Sequence, residues 1–309
     1  MRVLVVGELN ADLVLGRCQG WPAAGREVLA EDFALTLGSA SALCATALAR
    51  LGESVTFAGK VGADLLGAYC LSCLRQAGVD TSLIVEDPRA ATGATVAIAT
   101  ADDRALLTFC GAGAVLTGAD VESLRFDGVG HLHISSYFLQ SGLRPFVPTL
   151  FARATRAGWT TSLDPGFDPA ETWGADLIET LRHVDVFLPN AVELAAISGV
   201  ADPAAAIASL RNGRTLIVVK LGAQGCLALD GDRRVTAAPP RVETVDTTGA
   251  GDCFNAGFLH AWFQRRDLSA CLRAGAICGA LSTRGLGGYA AQASPADLAE
   301  LDACAPSSS

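Results

Sequence analysis

Val245-Asp246-Thr247-Thr248-Gly249-Ala250-Gly251-Asp252-Cys253-Phe254 runs without a break into Asn255-Ala256-Gly257-Phe258-Leu259. Thr247, Thr248 and Gly249 are residue types that open a helix, and the small and apolar residues after them continue one. The segment predicts a helix over 249–264. Gly249 and Gly251 have no side chain to block a ligand, so their N–H groups are open to close approach. A helix start adds about half a positive charge at the same point. Asp252 falls about one turn inside, which hangs its carboxylate beside those N–H groups. The segment therefore offers an anion site and a proton acceptor side by side, the two things phosphoryl transfer asks of a protein. A plainer reading makes it a capped helix with an acid in its first turn, which is stabilising in itself.

Around that segment the chain alternates strand and helix. From residue 129 on, short apolar runs at 131–134, 160–163, 184–188, 215–220 and 225–229 read as strands. The stretches 144–157, 176–182, 193–198, 203–211 and 268–283 read as helices. Nearer the start, 3–7 and 55–58 read as strands, while 39–51 and 65–77 read as helices stopped by Gly52 and Gly78. Such alternation implies an α/β fold, in one domain over 1–309, with a mostly parallel sheet. Ligands of such sheets bind beyond the carboxyl ends of the strands.

Two stretches, 13–37 and 95–110, break the rhythm. The first holds Gly16, Gly20, Trp21-Pro22 and Gly25 before strand character over 28–37. The second is a pair of strands, 95–100 and 105–110, joined by Ala101-Asp102-Asp103-Arg104. Together they predict a small antiparallel sheet set apart from the core, a β lid over the site. The alternative is an edge extension of the main sheet. The tail Pro306-Ser307-Ser308-Ser309 reads as frayed.

Half of the residues are hydrophobic and the mean hydropathy is +0.37. Yet no unbroken apolar run reaches the roughly 20 residues of a membrane helix. The net charge is −9, and Lys and Arg form no stripe, which argues against a nucleic-acid partner. The N-terminus enters a strand at once, without a signal-peptide core. The ten cysteines then point to a reducing, cytoplasmic setting. Cys70 and Cys73 have metal-like spacing, but without a second pair or a His cluster they read as helix packing. Neither a Gly-x-Gly-x-x-Gly after the first strand nor a P-loop occurs, which argues against a Rossmann-type dehydrogenase and a P-loop kinase.

The string from Asp246 to Asp252 resembles the C-terminal signature of the ribokinase, or PfkB-type, carbohydrate kinase family, and the resemblance extends over nearly the whole chain. Val5-Val6-Gly7-Glu8-Leu9-Asn10-Ala11-Asp12 looks like the family's first strand with residues that touch the sugar. Gly59-Lys60-Val61-Gly62-Ala63-Asp64-Leu65-Leu66-Gly67 is similar to its Gly-x-Gly-x-Asp-x-x-Gly turn, and Gly78-Val79-Asp80 and Thr92-Gly93 follow in order. Pro189-Asn190-Ala191-Val192-Glu193 is similar to its Asn-x-x-Glu segment, and Lys220-Leu221-Gly222-Ala223-Gln224-Gly225 to its nucleotide-side strand and turn.

The resemblance implies a ribokinase-like three-layer fold with a small β lid. It implies an ATP-dependent kinase acting on a hydroxyl of a sugar or sugar-like molecule. Asp252 would be the general base, and the N–H groups of Gly249, Ala250 and Gly251 the anion hole. Asn190 and Glu193 would act on Mg²⁺ through water, with Lys220, Gly222 and Gly225 on the nucleotide side. Asn10 and Asp12, with Gly38 and Ser39, would meet the acceptor. Asp246 and Thr248 match positions that bind a monovalent cation, K⁺, in ribokinase-like members. Family members pair through the lid, which implies a homodimer.

The chain departs from the pattern in places. The family's N-terminal signature begins Gly-Gly and carries an Asn soon after; here Ser39 follows Gly38, and Leu43 stands where the Asn is expected. Losing an amide alters recognition of hydroxyls. Ser135-Ser136-Tyr137-Phe138 has no acid of the kind found there in ribokinase, while Asp164-Pro165-Gly166-Phe167-Asp168-Pro169 follows a strand and faces the expected site. These departures leave plain ribose behind another sugar, a sugar acid or a polyol. A nucleoside acceptor would need aromatic residues, for which Phe33, Phe109 and Tyr137 are candidates. A non-catalytic sensor of sugar or nucleotide would be expected to lack the base, and Asp252 is present.

Overall fold

A computed structural model describes residues 1–100, 104–122 and 128–303. The expected turn residues 101–103 and the tail 306–309 lie outside the described residues. Thirteen strands are described: β1 (Arg2–Val6), β2 (Asn10–Gly16), β3 (Asp32–Leu37), β4 (Ser54–Gly62), β5 (Asp80–Asp87), β6 (Gly93–Ala99), β7 (Arg104–Phe109), β8 (Val129–Ile134), β9 (Thr160–Leu163), β10 (Val186–Phe187), β11 (Leu216–Lys220), β12 (Cys226–Asp230) and β13 (Arg233–Ala237).

Nine of them form one sheet in the order β13-β12-β11-β10-β9-β8-β1-β4-β5. From β11 to β5 every pairing is parallel; β12 and β13 add an antiparallel edge. Alternate residues of each strand serve opposite faces. On β1, Val3 and Val5 join one apolar core with Leu48, Phe258 and Leu272, while Leu4 and Val6 join another with Phe151, Leu177 and Ile207. Helices therefore cover both faces, as the three-layer α/β expectation required.

The remaining strands form a second sheet, in the order β3-β2-β6-β7. It was expected to be antiparallel, and its central pair corrects that: β2 and β6 run parallel, with antiparallel strands outside them. The reason is connectivity. β2 enters directly from β1, and β6 arrives from the far edge strand β5, so both leave the large sheet in the same direction. Its first strand begins at Asn10 rather than at 13, and β3 begins at Asp32 rather than at 28.

The turn after β4 ties the sheets together. Asp64 caps the helix Leu65–Gln76 by accepting the Gly67 N–H at 2.8 Å, and takes the Thr92 N–H at 2.8 Å and hydroxyl at 2.7 Å. A Cβ on Gly67 would come within 2.2 Å of the Gly62 carbonyl oxygen, so the clasp needs glycine there. Cys70 and Cys73 lie buried in that helix as free thiols.

Below the sheet centre runs a buried polar chain. Thr160 Oγ1 meets His131 Nδ1 at 2.8 Å, and Ser162 Oγ lies 2.7 Å from both His131 Nε2 and His133 Nδ1. His133 Nε2 then meets Ser135 Oγ at 2.7 Å. Burial holds both imidazoles neutral: His131 falls well below the usual histidine range and His133 to about 4. Among the described residues no single helix is long and apolar enough to cross a membrane.

Candidate active site

The chain leaves β1 at Val6 and reaches β2 at Asn10, so 7–9 cross from one sheet to the other. Beyond this crossing a cavity of about 230 Å³ opens between the small sheet and the start of the helix Ala250–Phe263. Of the expected site residues, Asn10, Asp12, Ser39, Thr248, Gly249 and Asp252 line it.

The small-sheet wall is a row of polar side chains set by register. Asp12 pairs with Thr95 across β2–β6, and Thr95 with Thr108 across β6–β7. Asn10 donates its amide to Asp12 Oδ1 at 2.8 Å and to Thr95 Oγ1 at 3.1 Å. Burial raises Asp12 to about 7, with the Thr95 hydroxyl pulling the other way and Asp246 adding repulsion. Gly38 sits behind the pair. A Cβ there would fall 1.9 Å from Asp12 Oδ1 and 2.6 Å from Asn10 Nδ2. Ser39, where the family signature has its second Gly, holds a left-handed φ of 72° that favours glycine. Its hydroxyl offsets that strain by accepting the Ala42 N–H at 3.1 Å as the helix cap of Ala40–Arg50.

The opposite wall is the helix start. Gly249 takes a φ of 73°, and a Cβ there would meet Gly288 Cα at 2.6 Å and Leu43 Cδ1 at 2.8 Å. Leu43, the substituted Asn position, thus lines the cavity and packs on the helix start. The Ala250 N–H reaches back to the Thr247 carbonyl at 3.3 Å, a weak bond. Asp252 is half-buried and faces the cavity. Desolvation pushes its carboxyl well above the usual range; the charges of Asp164, Glu8 and Glu193 push the same way against Lys220.

Behind Asp252 lies an interlocked group. Lys220 Nζ bonds Asp164 Oδ2 at 2.6 Å, and Asn255 Nδ2 reaches the same oxygen at 2.5 Å. The ammonium lies 3.4 Å from where a Gly251 Cβ would be, so Gly251 leaves room for a positive charge at the helix start. Asp164 is desolvated, yet Lys220 and Asn255 hold it below the usual carboxylate range. Asn190 and Glu193 form a capping box on the helix Ala191–Ser198, at 2.9 and 2.8 Å. Burial, then the charge of Asp164, raises Glu193 to about 7. Among the described residues no group of three or more His, Cys, Asp or Glu could hold a metal. Glu193 has one oxygen on the Asn190 N–H, which suits an outer-sphere partner to a hydrated cation rather than a cage.

Other expected residues do local work. Gly222 and Gly225 turn the chain from β11 into β12 at φ values of 59° and 90°, and a Gly225 Cβ would strike the Ala237 carbonyl oxygen. Asp246 already receives the Thr248 N–H and hydroxyl and the Gly287 N–H, at 2.8–2.9 Å. Of the three aromatic candidates Phe109 lines the cavity. Phe33 faces away from it, and Tyr137 is buried with its hydroxyl on Asp176. Sequence reasoning passed over Glu8, Thr95, Thr108, Ser136 and Asn255. Glu8 carried a signal: it stands two residues past the end of β1, at the carboxyl end of a parallel strand.

Comparison with known proteins bears on the family and the fold. The pfkB family carbohydrate kinase model matches residues 1–294. An uncharacterized sugar kinase of Archaeoglobus fulgidus is 32% identical over 74% of this chain and 90% of its own length. An ATP-dependent ribose-1-phosphate kinase of Halopiger xanaduensis is 30% identical over 91% of this chain and 92% of its own. The crystal structure of a fructokinase with bound ATP from Xylella fastidiosa superposes with a TM-score of 0.82 at 25% identity, covering 97% of each chain. A match of this extent, in sequence and in fold, makes the chain a member of the pfkB family of carbohydrate kinases.

Proposed function

We propose that this kinase transfers the γ-phosphoryl group of ATP to a hydroxyl of a sugar-like acceptor held against Asn10 and Asp12. One observation carries the reading. Asp252 faces the acceptor cavity from the first turn of a 14-residue helix, so proton acceptor and positive helix end meet at one point. The acceptor hydroxyl gives its proton to the Asp252 carboxylate as its oxygen bonds to the γ-phosphorus. The bond from that phosphorus to the bridging oxygen breaks, and ADP leaves with the electron pair. The N–H groups of Gly249, Ala250 and Gly251 stabilise charge on the migrating group, with the Lys220 ammonium beside Gly251. Mg²⁺ supplies charge neutralisation on the ATP phosphates, and Glu193 and Asn190 would hold its water shell. Gly222 and Gly225 shape the nucleotide side. Asp246 and Thr248 are the candidates for a K⁺-sensitive position, acting through the loop that carries Gly287.

The small sheet serves as a lid, within a single domain. Its outer face is apolar: Leu13 and Leu15 of β2, Phe33 and Leu35 of β3, Val96 and Ile98 of β6 and Leu107 of β7 share it by register. Phe33 is 65% and Leu107 74% exposed. Such a face on a four-stranded sheet suits a second copy of itself, giving a homodimer.

The cavity wall of Leu9, Leu43, Leu106, Phe109 and Leu139 favours one further acceptor, a nucleoside whose base lies on that wall. The test is ADP release from ATP and Mg²⁺ over sugars, sugar acids, polyols and nucleosides, with Asp252→Asn as the blank. Release that vanishes in the variant supports the kinase reading. ATP and acceptor binding without release in the wild type would favour a sensor.

A further inference from the structure

Three carboxylates, Glu8, Asp12 and Asp252, border the cavity, and among the described residues no Lys, Arg or His does. Asp12 and Asp252 have roles in the reading above; Glu8 has none. It is nonetheless part of a built site. The Ser41 hydroxyl donates to its Oε2 at 2.7 Å. The Ser39 hydroxyl lies 3.1 Å from its Oε1 and 2.6 Å from its carbonyl oxygen. Ser41 is wholly buried and Glu8 is 9% exposed, on the cavity side. Two glycines make room for it. A Cβ on Gly7 would come within 2.0 Å of Ser41 Oγ, and one on Gly113 within 2.9 Å of Glu8 Cβ. Glu8 is also desolvated, which raises its carboxyl, while Ser41 and then Ser136 and Ser39 pull it back.

We propose that Glu8 is a specificity residue: it takes a hydrogen bond from a hydroxyl or amine of the acceptor, and it shuts out acceptors that carry a carboxylate or phosphate. Oε2 has the Ser41 hydroxyl as a donor, while the single Ser39 proton is nearer the Glu8 carbonyl oxygen than Oε1. A carboxylate oxygen accepts two hydrogen bonds, so both oxygens keep a lone pair for a ligand. An anionic acceptor would find no cation among the lining residues, and the N–H groups of the helix start are taken by the migrating phosphoryl group in the reading above. It would instead lie within a cavity's width of three carboxyl groups whose ionisation it opposes, in a medium poorer than water. Lys220, the ammonium behind the helix start, is held by Asp164. The acceptor class is therefore uncharged, a sugar, polyol or nucleoside. The ribose-1-phosphate kinase relative, by its name, takes a phosphorylated sugar; this chain is expected to differ.

The inference rests on the kinase reading for its turnover arm alone, so binding is measured separately. Calorimetry and ADP release are run on the wild type, Glu8→Gln and Glu8→Asp with matched acceptors: pentoses, hexoses and nucleosides against the corresponding sugar acids and sugar phosphates. Wild-type protein should prefer the uncharged member of each pair by about 100-fold or more, the scale of a hydrogen-bonded polar site. In Glu8→Gln affinity for the uncharged member should fall about 10-fold and the preference should shrink by a similar factor. Glu8→Asp should keep the preference while losing affinity, and it carries the test should the Gln variant not fold. A wild type that binds the anionic member better, binds none of the panel, or keeps its ratio in Glu8→Gln overturns the assignment. So does an Asp variant with unchanged affinity. Binding that follows Glu8 without any ADP release overturns the kinase reading and leaves the assignment standing.

Discussion

The two sheets use their apolar surface in opposite ways. In the nine-stranded sheet β1, β4, β10, β11 and β12 each feed two cores, and helices cover both faces. Its edge strands carry polar residues, as in Asp80, Thr81 and Ser82 of β5 and Arg233 and Arg234 of β13. The four-stranded sheet lines the cavity with one face and leaves the other bare, with Phe33 and Leu107 mostly exposed. The large sheet is complete by itself, whereas the small one depends on its crossings and on what it meets. The site divides along the same line. Lys220, Asp164 and Asn255 lock together on the large-sheet side, and Asn10, Asp12, Thr95 and Thr108 belong to the small sheet. Chemistry is expected to track the first group and acceptor binding the second.

The sharpest test of that division is Asp252→Asn, expected to lower kcat by about 10²–10⁴ with the fold intact. Circular dichroism and steady-state kinetics check it; near-normal turnover would move the base elsewhere. Because burial raises Asp252, its activity should also fall as the pH is lowered from neutral. Next is Asp164→Ala, which strands the Lys220 ammonium in a buried place. Removing one partner of such a pair costs about 3–5 kcal/mol, readable by denaturant melts; a loss below 1 kcal/mol would mean the group is not locked.

Asp12→Asn should instead raise KM about 10-fold or more while kcat changes less. Equal losses in both would join the two sides that the comparison separates. Acceptor binding should slow amide exchange in β2, β3, β6 and β7 and leave β8 and β9 unchanged. Phe33→Lys with Leu107→Glu should turn a sedimenting dimer into monomers, and a wild-type monomer would show that the bare face stays bare.

A separate test belongs to the large sheet alone. His133 titrates near 4 when folded against about 6.5 unfolded. Its neutral form is stabilising above pH 6.5, and that contribution is lost as pH falls toward 4, by up to about 1.4 kcal/mol per unit. His131 acts in the same direction. Melts of His133→Asn against wild type should show a shallower decline over that range.

Much of the large sheet was legible because its strands are short apolar runs between helices. What escaped was at the rims. β5 and β13 each have one neighbour strand, so half-polar sequences such as Asp80-Thr81-Ser82 and Arg233-Arg234 suffice there. Likewise the helix Pro295–Ala303 covers the surface with Asp297 and Glu300. At the site, residues in one contiguous motif were legible: Asp252 and its glycines are neighbours in sequence. Thr95 and Thr108 were not, since their place beside Asp12 depends on register between distant strands. Glu8 was hidden differently, standing among motif residues with no pattern of its own; its meaning lies in Ser39 and Ser41, 31 and 33 positions away.

The chain of side chains under β8 and β9 has one further consequence. Ser162 has a single proton to give and stands between two imidazoles. At the far end the Thr160 hydroxyl also reaches the Gly130 carbonyl, at 3.3 Å. With its proton directed there, it accepts from His131 Nδ1. The choice then propagates: Ser162 donates to His131 Nε2, His133 Nδ1 donates to Ser162, and Ser135 donates to His133 Nε2. One hydroxyl thus sets both tautomers. Sliding β8 by one residue along β9 would turn both rings to the opposite face and part every link together. The two strands at the middle of the sheet can satisfy these rings in a single register, so the core carries its own check on alignment.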